Sequence, residues 1–276
     1  MSDTVIIGCG GAGCNAVSRI DEDMPKIKMN TGTRDPGVTI SMASGDVDGC
    51  RGDPDLGWAL AYDSIDDIRR EISGHRNIIV AAGLGGGTGS GAIPVISECA
   101  RSLKMKMVSV VSIPMSFEEE RRAYAMRQLG KVTEISDRTI VFDIERMPDM
   151  GGGGMMISQA IDCTNEMMRE AMLRVTNMLD GPFFSLLSEK AYTVAYATGS
   201  DPAEASIRAL ESTFFETDIS RGKIIVTSDS IISRSEEEAV MKEICDRTGI
   251  MPEVVSGEFE EGHGMLLFIP ISFRAV

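Results

Sequence analysis

Histidine is almost absent from this sequence: His75 and His263 are the 2 in 276 residues. A histidine-based catalytic triad or metal cluster has little to be built from. The 6 cysteines (9, 14, 50, 99, 163 and 245) form no Cys-x-x-Cys pair. Neither a zinc site nor a disulfide is expected, and no metal ligand set is read from the side chains. No apolar run approaches the roughly 18 residues of a membrane span. The amino terminus, Met1-Ser-Asp-Thr-Val-Ile-Ile-Gly8, lacks a basic stretch and a signal-peptide core. The expected location is cytoplasmic, with no direct membrane binding. Positive charge is also scarce: 27 Lys and Arg face 42 Asp and Glu, a net charge of −15. That argues against nucleic acid as a partner. Any bound nucleotide must then be held largely by backbone dipoles, against an unfavourable overall field.

Glycine is not scarce. Gly83-Leu-Gly-Gly-Gly-Thr-Gly-Ser-Gly91 follows the apolar run Asn77–Ala82 and precedes a helically spaced stretch, Ala92–Leu103. A strand running through glycines into a helix offers bare N–H groups and the positive end of a helix dipole, the ingredients of a phosphate site. A second such junction runs from strand Thr4–Ile7 through Gly8-Cys-Gly-Gly-Ala-Gly-Cys-Asn15 into a helix at Ala16–Ile20. A third, Gly49-Cys-Arg-Gly-Asp-Pro-Asp-Leu-Gly57, leads into a helix expected over 55–73. No Gly-x-x-x-x-Gly-Lys-Ser/Thr occurs, which excludes a P-loop, and these loops carry no lysine.

Strands are expected at 26–29, ending in Asn30-Thr31, and at 38–42, 107–113 and 139–142. The strand at 107–113 leads into Pro114-Met-Ser-Phe-Glu118, where Ser116 is placed to cap a helix that runs to about Ser136. Asp143-Ile-Glu-Arg146 follows the strand at 139–142. Gly151–Gly154 reads as a linker and Met155–Leu179 as the longest helix, stopped by Asp180-Gly-Pro182. Beyond it come a strand (191–198), helix (202–213), strand (223–229), helix (235–248) and two strands (252–258 and 264–272). The alternation predicts an α/β fold with a doubly wound parallel sheet. The expected division is a nucleotide-binding domain (1–154), a central helix (155–180) and a smaller α/β C-terminal domain (181–276). In such sheets ligands sit at the carboxyl ends of the strands, where every one of these loops falls.

At this point the residues carry a resemblance. Gly83–Gly91 resembles the glycine-rich phosphate motif of the tubulin/FtsZ superfamily. Gly8–Asn15 resembles its first nucleotide loop, Gly52-Asp-Pro-Asp-Leu-Gly57 the loop that senses the γ-phosphate, and Pro114–Glu118 with Arg122 the ribose-side loop. The matches span residues 4–179 in the family's order. The resemblance implies a GTP or GDP cofactor, with magnesium held through the phosphates. It places Gly10, Gly11, Ala12 and Gly13 at the α- and β-phosphates and Asn15 at the nucleoside. Gly86, Gly87, Thr88, Gly89 and Ser90 would cradle phosphates, and Cys50, Arg51 and Gly52 would border the γ-phosphate. Glu118 and Arg122 would hold the ribose side; a plain i,i+4 pair on a solvated helix is the alternative. Asn165 would read guanine, with Arg169 following it, unless it is an ordinary polar helix residue. The resemblance further implies assembly with itself through the nucleotide face and the C-terminal domain.

The sequence departs from the family in two places. Ile161 occupies a base-stacking position that is usually aromatic. After the long helix the family carries an acidic loop that positions the attacking water on the next subunit. Here the chain reads Leu179-Asp-Gly-Pro-Phe-Phe-Ser-Leu-Leu-Ser-Glu-Lys-Ala191, shorter and with only Asp180 and Glu189 acidic. The family's partner-binding tail is not expected after Val276. Three readings follow: an FtsZ-like cytoskeletal or cell-division GTP-binding protein with weak or no hydrolysis; an active, polymerising GTPase using Asp180 or Glu189; and a Rossmann-type oxidoreductase resting on Gly8-x-Gly10-x-x-Gly13. Phe183 and Phe184 would form a subunit contact or pack between the two domains.

Overall fold

The computed structural model describes residues 2–21, 23–32, 37–42, 49–147, 155–215, 222–256 and 264–271. Its strands are β1 (Thr4–Cys9), β2 (Lys26–Asn30), β3 (Ile40–Ser41), β4 (Asn77–Gly83), β5 (Lys106–Ile113), β6 (Arg138–Asp143), β7 (Ala191–Thr198), β8 (Ile225–Ser228), β9 (Glu253–Ser256) and β10 (Gly264–Pro270). They form one sheet in the order β3-β2-β1-β4-β5-β6-β7-β10-β8-β9. Pairing is parallel from β3 to β7, and β10 runs antiparallel between β7 and β8. The parallel β6–β7 pairing, with Thr139 opposite Ala191, makes the carboxy-terminal strands continuous with the first sheet.

The helices are α1 (Gly10–Val17), α2 (Pro54–Asp63), α3 (Ile65–Ile72), α4 (Gly87–Ser102), α5 (Glu119–Ile135), α6 (Ile157–Asp180), α7 (Pro202–Leu210) and α8 (Arg234–Thr248). Strand residues alternate between two cores. Val5 and Ile7 join Ile93, Ile96, Leu129 and Ile68 under α3, α4 and α5, while Ile6 joins Val17, Met168 and Val175 under α1 and α6. A third core packs α7 and α8 on β8 and β10 through Ala205, Val240 and Leu267.

Several boundaries differ from expectation for identifiable reasons. α1 begins at Gly10 and α4 at Gly87, so most of both glycine stretches is helical. Their glycines allow contact: a β-carbon at Gly13 would collide with the Ala81 carbonyl, and one at Gly89 would lie 2.7 Å from the Gly83 carbonyl oxygen. The helix expected over 55–73 is two helices, broken at Ser64, whose hydroxyl donates back to the Leu60 carbonyl at 3.0 Å. Ser116 does not cap α5. Its hydroxyl is taken by the Glu145 carboxylate, and Glu118 occupies the cap position without a side-chain capping bond. The helix expected to reach residue 213 stops at Leu210, because Thr213 bridges Ala195. Gly151–Gly154 and His263 lie outside the described residues.

Candidate functional site

The strand order reverses between β1 and β4: the chain winds outward through β2 and β3 on one side and through β5 and β6 on the other. Such a switch point leaves a crevice at the carboxyl ends of the two strands. Here β1 ends at Cys9 and opens α1, and β4 ends at Gly83 and opens α4. The helices lie on opposite faces of the sheet, so their unpaired N–H groups and positive dipole ends converge on the crevice from both sides. Gly10 meets Gly89 across it: a β-carbon on Gly10, whose φ is +67°, would lie 3.2 Å from the Gly89 nitrogen.

The glycines around the crevice fall into two groups. Gly8, Gly13, Gly57, Gly87, Gly89 and Gly91 each face protein backbone or a side chain that leaves no room for a β-carbon. Gly57 and Gly91 in particular let α2 lie directly on α4, Gly57 against the Gly87 carbonyl and Gly91 against Pro54 and Trp58. Among the described residues, Gly11, Gly49 and Gly52 face nothing within 4 Å, and Gly86 has only the Gly83 oxygen at 3.8 Å. Gly49 and Gly52 stand at φ +78° and +83°, which by itself favours glycine, whereas at Gly11 and Gly86 neither backbone conformation nor packing against described residues requires a missing side chain. A ligand approaching the backbone would.

The loops are pinned from beneath. Thr88 and Thr31 share a hydrogen bond of 2.7 Å, and Cys50 Sγ lies 3.5 Å from each hydroxyl. That buried cluster fixes the turn 49–52 to the start of α4. Arg51, next to Cys50, is held at φ +48° and is exposed. Asp53 closes the turn by capping α2 through the N–H groups of Asp55 and Leu56, at 2.9 and 3.2 Å. Ser90 is buried and accepts from Gly85 N–H at 3.1 Å, shaping the short loop 84–86 from below. Gly11 and Asn15 are exposed on α1, and Ala12 is half-buried.

On the far side of the loop, Arg121 pairs with Glu118 and donates to the Gly85 carbonyl at 3.3 Å. Among the described residues Arg122 does not form the i,i+4 pair with Glu118 that is the alternative to a ribose-side role. It forks onto Asp143 at 2.9 and 2.6 Å, and this hydrogen bonding holds the guanidinium's pKa above its usual value. Asn165 on α6 is buried, and among the described residues its side-chain amide has no hydrogen-bond partner. The amide is not among the fully buried polar atoms without a partner, so it reaches the surface. Its neighbours Asp162 and Glu166 bind Arg19 beyond the end of α1, at 2.8 and 3.3 Å, and Arg169 reaches the Arg19 carbonyl at 3.0 Å. Ile161, one turn before Asn165, is exposed.

The two acids weighed for hydrolysis lie at the opposite edge of the sheet. Asp180 ends α6 and accepts from Ser2 Oγ and Thr4 Oγ1, both at 2.6 Å, and from Asn77 Nδ2 at 3.4 Å. It ties the helix to the first residues of β1 and β4. Glu189 is exposed, and among the described residues its carboxylate has no partner. Between them Pro182–Leu186 forms a short 3-10 turn. Phe184 packs into the core under Lys106 and Arg138, 5.2 and 5.4 Å from its ring, while Phe183 is exposed. Sequence reading missed the Thr31–Thr88–Cys50 cluster, Arg121 and the part played by Asp143. Asp143 and Thr31, both at carboxyl strand ends, carried a positional signal.

A profile of the Tubulin/FtsZ family, GTPase domain, matches residues 37–152. The chain is 28% identical over 275 residues to the cell division protein FtsZ of Haloferax mediterranei, covering 90% of this chain and 73% of that one. Against FtsZ of Methanothermobacter thermautotrophicus the identity is 29% over 270 residues, covering 87% and 70%. Among solved structures, an empty FtsZ dimer from M. jannaschii superposes with a TM-score of 0.80 at 21% identity, covering 98% of this chain and 88% of that one. A GTPγS-bound CetZ2 protofilament from Haloferax volcanii gives 0.77 at 21% identity, covering 100% and 94%. None of these relatives is an oxidoreductase. The family profile falls on the glycine loops at 49–57 and 83–91, and the chain is similar to FtsZ along nearly its whole length.

Proposed function

We propose that this chain is a cytoskeletal or cell-division-related protein that binds GTP or GDP at the β1–β4 switch point, assembles with itself, and hydrolyses GTP weakly or not at all. One observation carries the reading: two helix amino termini converge on a crevice whose lining glycines, Gly11, Gly52 and Gly86, are left open by the protein itself. A nucleotide polyphosphate fits that cradle, because backbone N–H groups and two dipoles suit a chain that has no lysine there. Gly10 to Gly13 and Gly86 to Ser90 would face phosphates, with Gly13, Gly87 and Gly89 setting the backbone geometry. Cys50, Arg51 and Gly52 would border the terminal phosphate, Glu118 the ribose, and Asn15 and Asn165 the base. Magnesium, if carried in, would be held by phosphate oxygens.

Residues 1–154 are proposed as the nucleotide-binding unit, 155–180 as the connecting helix and 181–276 as the second unit. Head-to-tail assembly would bring the amino edge of one copy's sheet, where Glu189 lies, over the crevice of the next. In that stacking the Glu189 carboxylate, which has no partner among the described residues, would face a neighbour's nucleotide, and this favours an active GTPase as the second reading.

The test is chromatographic identification of the nucleotide bound to the purified protein, with GTP turnover measured over a range of protein concentrations. The proposal expects guanine nucleotide and little turnover. Turnover rising more steeply than concentration would establish the second reading. An adenine or nicotinamide nucleotide with no affinity for GTP or GDP would overturn both.

A further inference from the structure

Trp58 is the single tryptophan of the chain, and it stands 46% exposed; Tyr62, one turn on, is exposed to the same 46%. Their rings stack with centroids 5.2 Å apart and planes 21° from parallel. The fold does not need them for its core, since α2 packs on α4 through Gly57, Leu60 and Ala61. Paired large aromatics left in water mark a surface that something else covers. Trp and Tyr are also the residue types that anchor interfaces.

On their own helix the pair is flanked by charge of one sign. Asp55, Trp58 and Tyr62 follow at helical spacings and share one face of α2, with Asp63 beside Tyr62. Among the described residues neither Asp55 nor Asp63 forms an ion pair, although on the next helix Asp66 and Asp67 are matched by Arg69 and Arg70, at 3.5 and 2.7 Å. Across α4 the Tyr124 hydroxyl has its pKa raised, by burial first and then by the charge of Asp55, so that carboxylate acts over a shared surface. The same neighbourhood already stacks a cation on a ring: the Arg127 guanidinium lies 5.8 Å from the centre of Tyr124.

We propose that the stripe Asp55–Trp58–Tyr62–Asp63 is a docking surface for an arginine-bearing segment of a partner protein. The guanidinium would lie flat on the stacked rings and bond the carboxylate of Asp55 or Asp63. Arginine suits the site better than lysine because it is planar, stacks on rings and binds a carboxylate with two parallel hydrogen bonds. A net charge of −15 draws a basic segment towards the chain from a distance. The proposal does not depend on what occupies the crevice.

Fluorescence anisotropy of a labelled (Arg-Ala-Ala)4 peptide tests it, with the lysine and glutamine peptides of the same length as comparisons. Wild type, Trp58→Leu, Tyr62→Ala and Asp55→Asn/Asp63→Asn proteins are compared, each checked for folding by circular dichroism. The arginine peptide is expected to bind more tightly than the lysine one and the glutamine peptide not at all. Each variant should weaken arginine-peptide binding about fivefold or more, the size of a lost cation–π contact or charged hydrogen bond. Trp58→Leu keeps apolar area and charge but loses the π face, so unchanged affinity there would overturn the proposal in favour of general charge attraction. Failure of the arginine peptide to bind wild type would also overturn it. So would sedimentation showing a wild-type dimer that Trp58→Leu splits, since a second copy would then be the occupant.

Discussion

Arg122 and Asp143 form a two-pronged ion pair, with Nη1 at 2.9 Å from Oδ1 and Nη2 at 2.6 Å from Oδ2, and Nη1 also donates to the Pro114 carbonyl at 2.6 Å. Asp143 is nearly buried, and its Oδ1 also caps the turn after β6 through Glu145 N–H at 3.1 Å. The pair therefore braces the ends of β5 and β6 beside the crevice. Removing one partner leaves the other charge partly desolvated and uncompensated. Asp143→Ala is expected to lower stability by about 2 kcal/mol, the range for hydrogen bonds to charged groups. Urea unfolding would check it. An unchanged midpoint would mean the pair contributes no more than an exposed surface bridge.

The two groups of glycines predict opposite phenotypes. Gly13→Ala drives a methyl into the Ala81 carbonyl, so it should cost about 1–3 kcal/mol or more in stability and lower soluble yield. Gly86→Ala meets only an oxygen at 3.8 Å and should leave thermal stability within about 0.5 kcal/mol of wild type. It should still weaken guanine-nucleotide binding, because the methyl stands where the ligand approaches. Calorimetric titration with GDP beside a melting curve separates the two effects. A Gly86→Ala protein with full affinity would remove Gly86 from the cradle.

Asp180 and Glu189 are separated by the same logic. Asp180 accepts hydrogen bonds from three side chains that open β1 and β4. Asp180→Ala should therefore destabilise the chain by about 1–3 kcal/mol, whatever the chemistry. Glu189→Gln should leave stability unchanged, since its carboxylate is exposed and has no partner among the described residues. If wild type hydrolyses GTP in a concentration-dependent manner, Glu189→Gln should abolish that turnover. Turnover that survives Glu189→Gln would exclude this residue as the water-positioning group.

Cys9 ends β1 at the entry to α1 and is fully buried, and burial first, with Cys14 second, pushes its thiol pKa well above the usual value. The folded state thus keeps a proton that the unfolded chain loses near pH 8.5. Linkage makes this contribution complete below that pH and progressively lost as pH rises above it. Native alkylation near pH 8 should modify exposed Cys163 and spare Cys9, Cys14 and Cys50. Peptide mapping by mass spectrometry reads the outcome, and rapid labelling of Cys9 would contradict the burial.

The parallel sheet and the strand-end edge that carries the glycine loops follow from apolar runs and glycine loops whose periodicity is plain in the sequence. The strand expected at 191–198 and the helix stop at Asp180-Gly-Pro182 coincide with β7 and the end of α6. What escaped was the use to which glycine is put. A row such as Gly83–Gly91 reads as loop because glycine is flexible, yet Gly87, Gly89 and Gly91 are helical and small because backbone lies against them. Partner choice was equally hidden. Nothing local says that Arg122 will take Asp143 rather than Glu118, because that depends on β5 and β6 lying side by side.

The same non-local chemistry sets the strongest test of how the second half of the chain is joined to the first. Arg174 on α6 is fully buried, and it pairs with Asp229 just beyond β8 and with Glu170 at 3.2 Å. Asp229 also accepts from Tyr196 on β7 at 3.1 Å and sits over Gly264 of β10, where any β-carbon would collide with its carboxylate. Helix, strands and glycine are thus fitted to one buried charge pair. Taking two charges out of water is costly, and their attraction roughly offsets that cost only while both are present. Asp229→Ala should therefore destabilise the chain by about 3–5 kcal/mol, as for other buried pairs broken on one side. The double change Arg174→Met/Asp229→Leu removes both charges and should recover part of that loss, limited by Glu170, which keeps Arg169 as its partner. A double-mutant cycle in urea measures the coupling. Additive losses would show that Arg174 and Asp229 stabilise the join independently and not as a pair.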